Sequence, residues 1–159
     1  MTIIVIAEKQ FTRPNDTTTY ASGDLVANNA TAASVIPIAF DLGKVVYNNC
    51  FIRRARLFSS SANVTKAAYR LHLYTKKPTV TNGDNGAFAS VKAGYIGALD
   101  VTIDQVFSDG SCGFALPAQG SELSFISEGN ILYGLLEAKV ARTPVALETF
   151  TVVLETHRY

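Results

Sequence analysis

The chain has 159 residues, 14 Lys and Arg against 13 Asp and Glu, and a formal net charge of +1. That is the length of one ordinary domain, able to bury about two thirds of its unfolded surface without metal or disulfide staples. So even a charge balance argues against nucleic acid as the main ligand, since that function needs Lys and Arg clustered on one face.

Charged residues make up only 17% and hydrophobic residues 48% of the chain, with a mean hydropathy of +0.17. An average soluble domain is about 25% charged, so part of the apolar surface is expected to meet a partner. No run approaches the roughly 20 apolar residues of a membrane span. The opening apolar run, Ile3 to Ala7, lacks the positive leader and the length of a signal-peptide core. The expectation is a soluble protein folded in the cytosol. Cys50 and Cys112 have neither zinc-site spacing nor the density of a secreted scaffold, and both read as buried thiols.

Strand signals recur along the chain, separated by Gly, Asn, Asp, Ser and Pro clusters. In chain order the predicted strands are Ile3 to Ala7, Thr17 to Tyr20 leading into Asp24 to Val26, Val35 to Phe40, Cys50 to Ser59 and Ala67 to Tyr74. Then come Tyr95 to Thr102, Gly113 to Leu116, Leu123 to Ile126, Ile131 to Ala138 and Glu148 to His157. The one candidate helix is a turn at Ile103 to Phe107. Turns are expected at Asn28 to Ala33, Asn82 to Gly86, Ser108 to Gly113 and Ser127 to Asn130.

Alternation identifies the wet faces. In the last strand Phe150, Val152 and Leu154 share one side and Thr149, Thr151 and Glu155 the other. In Tyr69 to Tyr74, Leu71 and Leu73 point inward and Arg70 and His72 outward. Ile131 to Leu136 is apolar on both parities apart from Gly134, so it is either a central strand or one covered by another subunit. The fold class is all-β: an antiparallel two-sheet sandwich of about eight strands, with residues 1–159 as a single domain.

Nothing in the chain assembles a catalytic set. His72 lacks the further imidazoles or carboxylates that a metal needs, and it reads as an ordinary surface histidine. The Asn82 to Gly86 loop, NGDNG, lacks the terminal acid of a calcium loop and reads as a turn. Cys112 has no histidine placed to activate it, and no phosphate loop is present. No cofactor or metal is expected.

Two features suit an interaction instead. Arg53, Arg54 and Arg56 form the densest basic cluster, with Arg54 and Arg56 on one strand face. They fit either pairing with a partner's carboxylates or a solvated sheet surface. The segment 1–14, with Ile3, Ile4, Val5 and Arg13, either adds to a neighbour's sheet as an arm or pairs within its own subunit. Tyr20, Tyr47 and Phe88, in or beside loops, complete the candidate interface residues.

The order Thr-Arg-Pro (12–14), Thr-Thr-Tyr-Ala-Ser-Gly-Asp (18–24), Asn-Ala-Thr-Ala-Ala (29–33) and Arg-Leu-His-Leu-Tyr followed by Lys-Pro-Thr (70–79) resembles tailed-bacteriophage head decoration, or cement, proteins. The resemblance implies a jelly roll rather than another sandwich topology. It also implies a non-enzymatic protein on the outside of the virion capsid, made in the host cytoplasm, whose partner is the major capsid protein and which forms a homo-oligomer, dimer or trimer. Nucleic acid and membrane are not expected as partners. The alternative is a tail- or fibre-associated sandwich that binds glycan or another virion protein.

Overall fold

The structure, a computed structural model, describes residues 2–44, 49–62, 66–117 and 122–159. Ten strands lie in these residues: β1 (Ile3–Thr12), β2 (Leu25–Val26), β3 (Ile38–Asp41), β4 (Asn49–Ser59), β5 (Ala68–Tyr74), β6 (Tyr95–Phe107), β7 (Gly110–Ala115), β8 (Ser124–Ile126), β9 (Ile131–Ala138) and β10 (Thr149–Arg158). One 3-10 turn, Ala32–Ser34, is the only helical element described.

All pairings are antiparallel, in the order β1-β10-β4-β7-β6-β5-β9-β2. β3 also pairs with β9, and β8 with β4. The sheet folds over on itself into two layers, β1-β10-β4-β7 and β6-β5-β9 with β2 and β3, and the β6–β7 hairpin belongs to both. This is the strand order of a jelly roll. Between the layers Tyr69 of β5 meets Phe150 of β10 edge to face, with ring centroids 5.4 Å apart. Leu57, Leu71, Leu99, Val152 and Leu154 fill one core cluster around them.

Alternation builds the layers as the sequence implies: Phe150, Val152 and Leu154 are buried on β10, and Leu71 and Leu73 on β5. The doubly apolar β9 is central, flanked by β5 on one side and by β2 and β3 on the other. Its second face is covered by the chain itself, because Leu135 packs with Leu25, Ala27 and Tyr74, and Val35, Val80 and Phe88 lie against them.

Three expectations are corrected. Ile103 to Phe107 is not a helical turn but the end of β6, where Ile103 pairs with Gly113 and Phe107 with Gly110. The β-branched Val101, Thr102, Ile103 and Val106 suit that ladder. Thr17 to Tyr20 forms no strand; Asp16 Oδ1 caps the Thr18 amide at 3.0 Å and Tyr20 makes one isolated bridge to Arg142. The first strand does not stop at Ala7, because all ten residues to Thr12 pair with β10 without a register shift.

Candidate interaction face

The outer surface of the β1-β10-β4-β7 layer gathers the candidate residues that remain exposed. Residues opposite one another in antiparallel strands share a face, so the pairing gives rows. One row runs Ile6–Glu155–Arg54 and the next Glu8–Val153–Arg56–Phe114. Ile4 and Ile6 on β1 are 59% and 60% exposed and Phe114 on β7 is 58% exposed, so large apolar side chains stand free on both flanks of this face.

The arginines differ in their engagement. Arg54 Nε donates to Glu155 Oε2 at 2.6 Å, and His157 Nε2 lies 3.3 Å from the other oxygen. Partial burial pushes the Glu155 carboxyl up, but the bonds from Arg54 and His157 outweigh it and hold it below its ordinary value. Arg56 has no carboxylate within ion-pair distance among the described residues. Its charge therefore remains available to a partner beside the Phe114 ring.

A register shift between Glu155 and Thr156 leaves Arg53 without an opposite residue on β10. This bulge exposes Arg53 as well as Arg54, where simple alternation puts them on opposite faces.

The other candidates separate. Ile4 lies on the face, whereas Val5 turns inward and packs against the core; Ile3, 38% exposed, shares Val5's parity at the rim. Tyr47 lies outside the described residues. Phe88 is half-buried on the opposite layer, stacked on the His72 ring with centroids 4.1 Å apart.

Arg13 and Tyr20, expected at a partner surface, are 1% and 0% exposed. Arg13 Nε donates to Tyr20 Oη at 2.6 Å and Nη2 to Asp84 Oδ2 at 3.0 Å. Tyr20 donates to Asp84 Oδ1 at 2.6 Å, and the Ala27 amide reaches the same oxygen at 2.8 Å. Buried polar groups need such partners, so both residues serve the chain's own interior. Burial and the facing Asp84 carboxylate push the Tyr20 phenol far up.

His72 is likewise not a surface histidine. It is 8% exposed, with Nε2 2.7 Å from Glu137 Oε2 and Nδ1 3.3 Å from Tyr95 Oη. Burial lowers its pKa, and Glu137 opposes that without reversing it. The neutral ring donates to the carboxylate through Nε2 and accepts from the phenol through Nδ1. This chain of groups lacks an activated nucleophile, because burial raises the pKa of Tyr95. Burial also raises the Cys112 thiol, with Asp104 adding to it, which opposes thiolate chemistry. Among the described residues no three His, Cys, Asp or Glu side chains form a group able to hold a metal ion.

Sequence reasoning missed Ile6 and Phe114. Period-two counting from Ile4 would have found Ile6; Phe114 carried no signal, since its exposure follows from β7 running beside Arg56.

Neither a protein-family model nor a curated protein matches this sequence. Among solved structures, the chain is similar to the decameric BFDV capsid protein, with 11% identity, coverage of 100% of this chain and 98% of that one, and a TM-score of 0.38. A chain of the cyanophage Pam1 capsid asymmetric unit is 10% identical over 99% and 84% of the two chains, with a TM-score of 0.33. The CBM36-1 domain of a xylanase from the hindgut metagenome of Trinervitermes trinervoides is 10% identical over 99% and 96%, with a TM-score of 0.31. At identities and TM-scores this low none of the three bears on function, and the jelly roll rests on the strand order itself.

Proposed function

We propose that this chain is a non-enzymatic virion structural protein that decorates the outside of a phage head by laying its β1-β10-β4-β7 face on major capsid protein subunits. The observation that carries this proposal is the grouping of exposed Ile4, Ile6 and Phe114 with Arg54 and Arg56 on one sheet face. Arginine on the middle strands, flanked on the same face by exposed Ile4 and Ile6 on β1 and Phe114 on β7, brings together residue types enriched in protein interfaces. The sequence resemblance to head decoration proteins supplies the kind of partner. Arg56, which has no carboxylate within ion-pair distance among the described residues, is the residue to pair with an acidic group on the capsid.

Burial dominates such an attachment. Raising salt from 0.1 M to 1 M shortens the Debye length from about 10 Å to about 3 Å, so the protein is expected to stay on purified heads through the wash. Phe114→Lys is expected to release it and Arg56→Glu to weaken it, read by gel densitometry of washed heads. Full release of the unaltered protein by salt would reverse the assigned source of affinity. Failure to bind heads at any ionic strength, with cryo-EM density on the tail, would replace the proposal by the glycan-binding or tail-associated alternative.

A further inference from the structure

We propose that a second copy of this chain pairs with the free edge of β1, two-fold related and centred on Val5, joining two outer layers into one sheet. β1 pairs only with β10 among the described residues, and over ten residues it contains no proline and no bulge. An exposed strand edge of that kind is a template for another strand unless it is blunted or covered.

The cover on β1 is partial. β3 approaches its C-terminal half, and a groove of about 510 Å³ between them is lined by Lys9, Gln10, Phe11 and Thr12 on one side and Ile36 to Ala39 on the other. No residue of β1 before Lys9 lines that groove. Among the described residues no strand pairs with the outer edge of Ile3 to Glu8, and that N-terminal half is the edge assigned to a second copy.

Side-chain chemistry then selects the register. In a two-fold antiparallel pair, opposite residues share a face, so their numbers must agree in parity. Centring on Glu8 sets two carboxylates against each other, and centring on Lys9 sets two ammonium groups against each other. Centring on Ala7 or Ile6 places Glu8 opposite an exposed isoleucine. Centring on Ile4 sets Ile6 against Thr2. Centring on Val5 places Ile4 opposite Ile6 of the second copy twice over, so that four isoleucines, each more than half exposed in the single chain, cover one another. The same register leaves Lys9 to Thr12 beside β3, so the open edge and the favoured register coincide. Along the join, the row Arg54–Glu155–Ile6 continues into Ile4–His157–Phe51 of the second copy.

The full chain without phage heads tests the dimer separately from capsid attachment. Sedimentation equilibrium at micromolar concentration is expected to give twice the chain mass of 17.1 kDa. Under oxidation, Ile4→Cys mixed with Ile6→Cys is expected to cross-link, as is the double variant. Opposite Cα atoms lie about 4.5–5.5 Å apart, within disulfide reach. Either single variant alone is expected to stay uncross-linked, because equal positions are then diagonal neighbours about 7–8 Å apart. The native Cys50 and Cys112 are buried and do not compete. A monomeric or trimeric mass for the unaltered chain, or single variants that cross-link as well as the mixture, would overturn the proposal.

Discussion

Arg13 Nη2 and Asp84 Oδ2 lie 3.0 Å apart across 71 positions of chain, with side-chain exposures of 0% and 1%. The pair fastens the end of β1 to the 82–86 loop inside the protein. Desolvation makes such a pair a weak source of stability but an expensive one to break. Arg13→Met, which leaves Asp84 buried without its cation, is expected to lose about 3–5 kcal/mol in urea unfolding. Arg13→Met/Asp84→Leu is expected to recover only part of that loss, because the buried Tyr20 hydroxyl and Ala27 amide then lose the carboxylate that accepts from them. A single variant as stable as the unaltered chain would show that Asp84 regains water when Arg13 is removed.

His72 links stability to pH. Its folded-state pKa lies below the ordinary value of about 6.5 because of burial, so the unfolded chain binds the proton first as pH falls. Its contribution is present above about 6.5 and is lost as pH falls from there through the lowered folded value. Unfolding free energy between pH 7.5 and 5.5 is expected to fall more in the unaltered protein than in His72→Gln. The slope attributable to one proton is at most about 1.4 kcal/mol per pH unit. Parallel slopes would mean that His72 titrates alike in both states.

Gly83 is required by space. A Cβ built there stands 2.0 Å from the Ala30 carbonyl oxygen, whereas one at Gly129 meets nothing within 4 Å. Gly83→Ala is expected to cost about 1–3 kcal/mol by overpacking, with Gly129→Ala close to neutral by comparison. Equal midpoints in urea would show that the loop shifts freely, and would contradict its role in presenting Asp84.

Both thiols are expected to be inert in the folded protein. Burial raises the pKa of Cys50 and of Cys112, and both side chains are enclosed. An aromatic disulfide reagent is expected to titrate neither until denaturant is added, and both afterwards. Rapid reaction of one thiol in buffer would locate an opening of β4 or β7.

The strands were legible where period-two alternation is clean, as in Phe150, Val152 and Leu154 or Leu71 and Leu73, because one face meets the core and the other does not. Elements set by distant partners were not. β1 runs on through Glu8, Lys9 and Gln10 because β10 pairs with it, and Ile103 to Phe107 is extended because β7 lies alongside. His72 does point away from the core, as alternation says, yet Phe88 and Glu137 cover it; a sequence cannot show what a loop will lay over a face. Arg13 and Tyr20 were misplaced for the same reason, since the carboxylate that draws them inward is Asp84 in a loop far along the chain. Three of the five residues of the candidate face, Ile4, Arg54 and Arg56, were legible from strand parity. Tyr47 lies outside the described residues.

The pairing of β1 with β10 also sets a timetable. During synthesis Ile3 to Thr12 leave the ribosome well before the strand that hydrogen-bonds them, Thr149–Arg158. At about 5–20 residues per second the wait is on the order of ten to thirty seconds, during which an Ile-Ile-Val-Ile segment has no partner of its own. Whatever shields that segment on the ribosome governs the yield of folded protein, so a slower translation rate lengthens the exposure and a chaperone that holds extended apolar chain shortens it.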